Sequence, residues 1–261
     1  LEDLTKHIEI SKEYSVLAEI YDAVMHDVDY EAWADYIDEV IMRHHHEAED
    51  LLELACGTGT MALSMDELGY YNITATDLSP NMIKKAIEKG IDKKSAVKFK
   101  ALNFLDINLD EKFDAVYMVF DSLNYIHKKE DILALHNQVY NVLKPGGIFV
   151  YDFTTPRNSR KAIHYLNEGK STVNSKYSYH RTSSYDSEQR IHTNVFEIQQ
   201  LNFKNPELAT HFREEHKQRI YTMNEIYPIV KQSPFNLVKA YDGFELKPAH
   251  KRSLRITMVL R

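Results

Sequence analysis

Glu53, Asp77 and Asp121 are three carboxylates spaced through the first half of a 261-residue chain, each at or near the end of a short apolar run. Glu53 belongs to Leu51-Leu52-Glu53-Leu54-Ala55-Cys56-Gly57-Thr58-Gly59-Thr60, which turns at two glycines and passes into helix-compatible sequence from Met61 to Leu68. Glycine lets a backbone turn sharply and lets a ligand come close, because no Cβ stands in the way. Strand, glycine turn and helix N-terminus together form the opening of a nucleoside-type cofactor site at the mouth of a parallel sheet. Asp77 ends a second apolar run, where it could bind ribose hydroxyls. Asp121 lies just past a later one, where it could orient an amine, remove its proton, or only cap a loop. Tyr125, Asn124 and His127 follow it as lining or base candidates, with loop packing and a surface histidine as the plainer readings. Cys56 reads as a small residue packed beside a cofactor rather than as a nucleophile, since no motif pairs a base with it.

The elements that must position these residues are legible from spacing. Residues Tyr14 to Met25 predict a helix, and a second follows from Tyr30, capped by Asp29, with Trp33, Ala34, Ile37, Val40 and Ile41 on one face. That helix ends in His44-His45-His46. Neighbouring positions point about 100° apart, so these histidines read as a solvated end rather than a metal site. Strands are expected over 51–54, 72–76, 97–102, 113–119 and 148–153. Helices between them include one opened by Ser79-Pro80 and stopped at Gly90, and one over 129–143 ended by Lys144-Pro145-Gly146-Gly147. Strands alternating with helices imply a doubly wound parallel sheet. After Phe153 the rhythm changes to polar β-rich runs over 171–185, 190–203 and 209–221, with turns at 186–189 and Lys204-Asn205-Pro206-Glu207, an expected antiparallel meander. Thr222 to Glu225 is a capping box opening a last helix, and 235–241 and 253–260 are two more strands of the main sheet.

Composition bounds the function. Apolar residues make up 43% of the chain and the net charge is −7, against a general nucleic-acid binder. The segment from Pro156 to Thr222 holds 11 Lys+Arg against 7 Asp+Glu, while the remainder carries −11. A single cysteine fits a reducing, cytoplasmic compartment. Neither a signal peptide at Leu1-Glu2-Asp3-Leu4-Thr5-Lys6 nor a membrane span is expected.

Gly57-Thr58-Gly59-Thr60-Met61-Ala62 alone fits a nicotinamide enzyme as well as an S-adenosylmethionine enzyme. The ordered set of motifs is more specific. Glu53 to Gly59, Asp77-Leu78-Ser79-Pro80-Asn81-Met82, Asn103-Phe104 and Leu143-Lys144-Pro145-Gly146-Gly147 together resemble the class I S-adenosylmethionine-dependent methyltransferases, with Asn103 where that family usually has an acid. The pattern Tyr14, Ala18, Tyr21-Asp22, Tyr30, Trp33 resembles the bacterial small-molecule members. The resemblance implies a Rossmann-like α/β fold. Its seven-stranded methyltransferase sheet would carry a small antiparallel β insertion after the fifth strand, dividing the chain at 1–155, 156–222 and 223–261. It implies S-adenosylmethionine as cofactor, with no metal. Glu53, Ala55, Gly57, Thr58 and Gly59 would hold its amino-acid end and Asp77 the ribose. Leu78, Met82, Asn103 and Phe104 would surround the adenine, Tyr21 and Trp33 would cover it from the N-terminal helices, and Asp121 would stand at the reacting centre as catalytic residue. Trp33 reads equally as an aromatic core residue.

The activity so implied is methyl transfer to nitrogen or oxygen of a small molecule, anionic if the basic insertion covers it through Arg181, Arg213, Arg219 and Tyr221. Solvated strand faces are the plainer reading of each. An RNA-modifying methyltransferase and a non-catalytic S-adenosylmethionine-binding protein are the alternatives.

Overall fold

The structure, a computed structural model, describes residues 8–173, 175–202, 204 and 209–261, without the side chains of 168–170. Leu1 to Lys6, Phe203 and the Asn205-Pro206-Glu207 part of the expected turn lie outside the described residues. In chain order it begins with β1 (Ile8–Ile10), a 3-10 turn (Leu17–Glu19), α1 (Tyr21–Val24), α2 (Tyr30–His44), β2 (Asp50–Leu54), α3 (Thr60–Asp66) and β3 (Asn72–Asp77). It continues with α4 (Pro80–Lys93), β4 (Lys98–Ala101), β5 (Phe113–Met118), a 3-10 turn (Ser122–Tyr125), α5 (Lys129–Val142), β6 (Leu143–Thr154) and α6 (Pro156–Ala162). The rest is β7 (Glu168–Val173), β8 (Tyr177–Asp186), β9 (Ile191–Gln200), β10 (Thr210–Arg219), α7 (Met223–Gln232), β11 (Leu237–Asp242), β12 (Glu245–Pro248) and β13 (Arg255–Leu260).

The main sheet has the order β12-β11-β13-β6-β5-β2-β3-β4. Strands β2 to β6 are parallel, and β13 runs antiparallel to β6. Chain order reverses between β2 and β5, so the loops after these two strands open onto one crevice. The strand period of two explains the layering. Leu51, Ala115, Tyr117, Ile148 and Val150 face α2 and α3, while Leu52, Leu54, Val116, Met118, Phe149 and Tyr151 face α5 and α7. These side chains are buried, and each of the leucines, isoleucines, valines, Met118 and Phe149 contributes roughly 1.5–3 kcal/mol of transfer free energy.

Several expectations need correction. The sheet has eight strands rather than seven, because Gly243 turns the chain with φ +62 and lets β12 pair back onto β11. The single helix expected over 14–25 is a 3-10 turn and one α-turn, with Tyr14 in the left-handed region at φ 58. The helix expected to stop at Gly90 runs on to Lys93: Gly90 lies inside it, where a Cβ would meet the Phe99 ring at 3.1 Å. The Lys144 to Gly147 turn is absorbed into β6, whose pairing with β5 shifts register between Phe113 and Ala115.

The insertion forms a second sheet of order β1-β10-β9-β8-β7. The run 171–185 is split by a turn at Ser175 (φ 54), giving four antiparallel strands where three runs were expected. The fifth, β1, pairs parallel with β10, so the N-terminal segment joins the insertion. A third apolar cluster, Leu17, Ile20, Val173, Tyr179, Phe196 and Ile198, fastens that contact.

Candidate active site

The turn after β2 is built from left-handed residues: Ala55 at φ 56, Gly57 at φ 56 and Gly59 at φ 76. A Cβ on Gly59 would sit 2.6 Å from Phe99 and 2.8 Å from Ala86, so only glycine fits where α3 starts against α4 and β4. Asp77 ties this turn to the next, accepting from Gly57 N at 2.9 Å and Ser79 N at 2.8 Å. Burial raises its pKa, and those two amides act against the rise. Glu53 is 1% exposed, with Tyr117 Oη donating to it at 3.1 Å. Burial pushes its carboxyl up to about 8 against that one hydrogen bond, so the acid is poised to ionise beside a cation. Cys56 is buried and burial pushes its thiol up, the environment of a packed cysteine rather than of an activated thiolate.

The N-terminal segment lies on this turn. Thr58 Oγ1 donates to Asp22 Oδ1 at 2.5 Å, and Lys89 Nζ reaches Asp22 at 3.0 Å and Thr58 at 2.9 Å. Tyr21 Cε1 comes within 3.8 Å of where a Gly57 Cβ would stand. Burial and the charges of Asp77 and Asp22 raise its hydroxyl pKa, with Arg181 acting the other way. Tyr21 is therefore brought to the glycine turn and Asp77.

Met82 is buried in the first turn of α4, while Leu78 is 66% exposed at the lip. Leu102 N donates to Asp77 O at 2.9 Å, which places Asn103 and Phe104 beside the end of β3. Asn103 is exposed, and its Oδ1 accepts from Leu105 N at 2.9 Å. The side-chain oxygen of the residue expected beside the adenine is thus engaged by its own turn.

Trp33 is buried, its ring 4.4 Å from Phe120, 4.1 Å from Phe244 and 5.3 Å from the Arg255 guanidinium. Trp33 thus packs in the core cluster and meets the loop after β5 through Phe120 and Arg255.

Phe120 and Asp121, after β5, are both left-handed at φ 61 and 63. Two such residues cost on the order of 1–3 kcal/mol each. Asp121 is fixed by Asp152 Oδ1, which accepts its N–H at 3.0 Å, and by Arg255, whose Nη1 lies 2.7 Å from Oδ1 and Nη2 3.0 Å from Oδ2. Arg255 Nη1 also donates to the fully buried Asp152. Burial pushes Asp152 up to about 6 against the pull of Arg255. Asp121 follows β5 directly, and its carboxylate is held by Arg255 rather than left as a free base. The spacing of the sequence missed Arg255 and Asp152. The one signal was an acid within the apolar run Phe149-Val150-Tyr151-Asp152-Phe153.

The insertion roofs this loop. Asn124 Nδ2 donates to Arg219 O at 2.8 Å, and its Oδ1 accepts from Thr154 N at 3.0 Å. Tyr221 Oη donates to Ile126 O at 2.7 Å, and His127 Nε2 lies 2.9 Å from Lys217 O. Asn124, His127 and Tyr221 therefore pack the loop. Arg219 contacts Glu225 and the carbonyl of Gln189, and Arg213 pairs with Glu215. Tyr125 Oη is 2.5 Å from Tyr14 Oη and 3.4 Å from His216 Nδ1. Tyr14, Tyr125 and His216 thus meet at the seam of core, insertion and N-terminal segment.

Residues 51–147 match the family described as "Methyltransferase domain". YqeM of Bacillus subtilis (strain 168), named as a candidate methyltransferase with no stated acceptor, is 28% identical over 232 residues, 88% of this chain and 90% of its own. The crystal structure of an S-adenosylmethionine-dependent methyltransferase from Clostridium acetobutylicum ATCC 824 superposes with TM-score 0.75 at 26% identity, covering 95% of this chain and 98% of that one. The chain is a class I S-adenosylmethionine-dependent methyltransferase. A further similarity of 30% over 125 residues, 48% of the methyltransferase and 50% of the relative, is to the dTDP-3-amino-3,4,6-trideoxy-alpha-D-glucopyranose N,N-dimethyltransferase of Streptomyces venezuelae. Among the described residues of the methyltransferase, no helix is long and apolar enough to cross a membrane. The donor set fits the cofactor, since an under-partnered buried acid at Glu53 suits the cationic amino-acid end.

Proposed function

We propose that this methyltransferase acts on a small-molecule acceptor bearing an amine and an anionic group. The acceptor would be bound between the carboxyl ends of β5 and β6 and the insertion sheet. The observation that carries the amine is the engagement of Asp121 by Arg255 at 2.7 and 3.0 Å. A neutral amine offers its lone pair without help, whereas a hydroxyl acceptor needs a free base in reach. When bound, S-adenosylmethionine supplies a methyl group already activated on a sulfonium sulfur. The work left to the protein is then proximity and orientation. Glu53 and the backbone of the glycine turn hold the amino-acid end, Asp77 the ribose, and Met82, Phe104 and the exposed Leu78 flank the base. Tyr21 covers the turn, and Asp121 acts as a positioning residue for the loop that faces the acceptor.

The positive balance of residues 156–222 supports an anionic acceptor, as does Arg181, whose charge reaches the Tyr21 and Tyr125 hydroxyls. The amino-sugar activity named for the Streptomyces relative is consistent with both features. The test is S-adenosylhomocysteine formation with a panel of phosphorylated or nucleotide-linked amino sugars against their hydroxyl counterparts. Turnover confined to the amines, with a raised KM when the phosphate is removed, is expected. Turnover of the hydroxyl compounds alone would overturn the reading.

A further inference from the structure

Glu214, in the middle of β10, is fully buried on the face of the insertion sheet that meets the N-terminal segment. A buried carboxylate is costly unless donors saturate it. Its donors come from one short stretch far away in sequence. Oε2 accepts from Tyr14 N at 2.8 Å, and Oε1 accepts from Val16 N at 2.6 Å, Leu17 N at 3.0 Å and Ser11 Oγ at 3.3 Å. His216 Nε2 stands 3.4 Å from Oε2. Against the burial penalty, His216 and the amides of Leu17 and Val16 keep the carboxyl below its usual range.

The stretch so gathered is the one that covers the crevice. Tyr14 O accepts from Ser79 Oγ at 3.0 Å, Ser15 O accepts from Asn81 Nδ2 at 2.9 Å, and Asp22 meets Thr58 and Lys89 at the glycine turn. Its own secondary structure is one 3-10 turn of three residues and one helix of four, below the length at which helix sustains itself. Its order therefore depends on its anchors. Those on the cofactor side are partly exposed side-chain bonds to the backbone and an ion pair whose Asp22 is 52% exposed. On the insertion side β1 pairs with β10 and Leu17 and Ile20 pack against the sheet, and the polar anchor among these contacts is the buried carboxylate. Charge-assisted bonds in a dry site are the stronger kind.

We propose that Glu214 is a latch: a positioning residue that holds residues 11–17 closed over the cofactor, so that S-adenosylmethionine enters and S-adenosylhomocysteine leaves when this segment lifts. The insertion thereby controls residence of the cofactor as well as covering the acceptor. The latch rests on the assignment of the cofactor and not on the identity of the acceptor.

The experiment is stopped-flow binding and release of S-adenosylhomocysteine by the wild-type chain and by Glu214→Gln, with amide hydrogen exchange followed on both. The isosteric variant keeps the volume and loses the charge. Release is expected to quicken roughly tenfold or more, the size of one lost charge-assisted hydrogen bond. The amides of Tyr14, Val16 and Leu17 should lose protection while those of β9 and the main sheet keep theirs. A folded variant that releases the ligand at the wild-type rate would overturn the latch. Should the variant fail to fold, the wild type still decides. Release no faster than the opening of those three amides supports the latch, and release faster than their opening refutes it. Failure of the wild type to bind S-adenosylhomocysteine would instead strike the cofactor assignment, a separate result.

Discussion

At the residue scale, Glu53 makes the sharpest prediction. Its folded carboxyl keeps a proton up to about 8, while an unfolded one releases it near 4.5. The folded state then binds more protons than the unfolded state, so Glu53 makes folding less favourable as pH rises between those values. A cationic ligand reverses the preference by stabilising the carboxylate. S-adenosylmethionine affinity, measured by calorimetry, should therefore increase from pH 6 to pH 8, with proton release on binding. Glu53→Gln should remove that dependence and weaken binding by about 1.5–3 kcal/mol, the worth of a hydrogen bond to a charged group. Arg255 makes a second prediction. Arg255→Met leaves Asp121 and buried Asp152 without their cation, a loss of about 3–5 kcal/mol in urea unfolding. Asp152→Asn in the same chain should recover part of that loss by removing a stranded charge.

At the scale of elements, the strands and helices of the nucleotide-binding half were legible because local signals agree there. Asp29, Ser79 and Thr222 all cap as their sequence predicts, and Ala32 N and Met82 N donate to the first two at 3.0 and 3.3 Å. Elements fixed by distant partners were not legible. Strand β1 exists because Ile8, Glu9 and Ile10 pair with β10 some 200 residues on. Where the 14–25 helix was expected to start, the amides of Tyr14, Val16 and Leu17 donate to Glu214, and a 3-10 turn and a four-residue helix follow. Asp121 was found by its place after β5, but its role depends on an arginine from the antiparallel strand β13. Helix α5 carries its own test. His136 is buried beside Phe149, Tyr151 and Phe235, and neither ring nitrogen has a hydrogen-bond partner among the described residues. Burial pushes it down to about 4. The unfolded imidazole takes its proton near 6.5, so stability falls as pH drops from there toward 4. His136→Phe should flatten that acid limb, by on the order of 2–3 kcal/mol at pH 4, as read by denaturation across the pH range.

At the scale of the whole molecule, the main sheet, the insertion sheet and the N-terminal segment meet beside the loop after β5. S-adenosylhomocysteine at a hundred times its Kd should add about 2.7 kcal/mol of stability. That corresponds to a rise of roughly 5–10 °C in Tm, checked by scanning calorimetry. The acceptor side reports differently. The chain has one tryptophan, Trp33, wedged between Phe120, Phe244 and the Arg255 guanidinium. Indole emission is sensitive to the polarity and charge around the ring, and Arg255 is bound to Asp121 at the loop after β5. The protein thus carries a built-in fluorophore wired to that loop, and titration of candidate acceptors can be followed by intrinsic emission without any label.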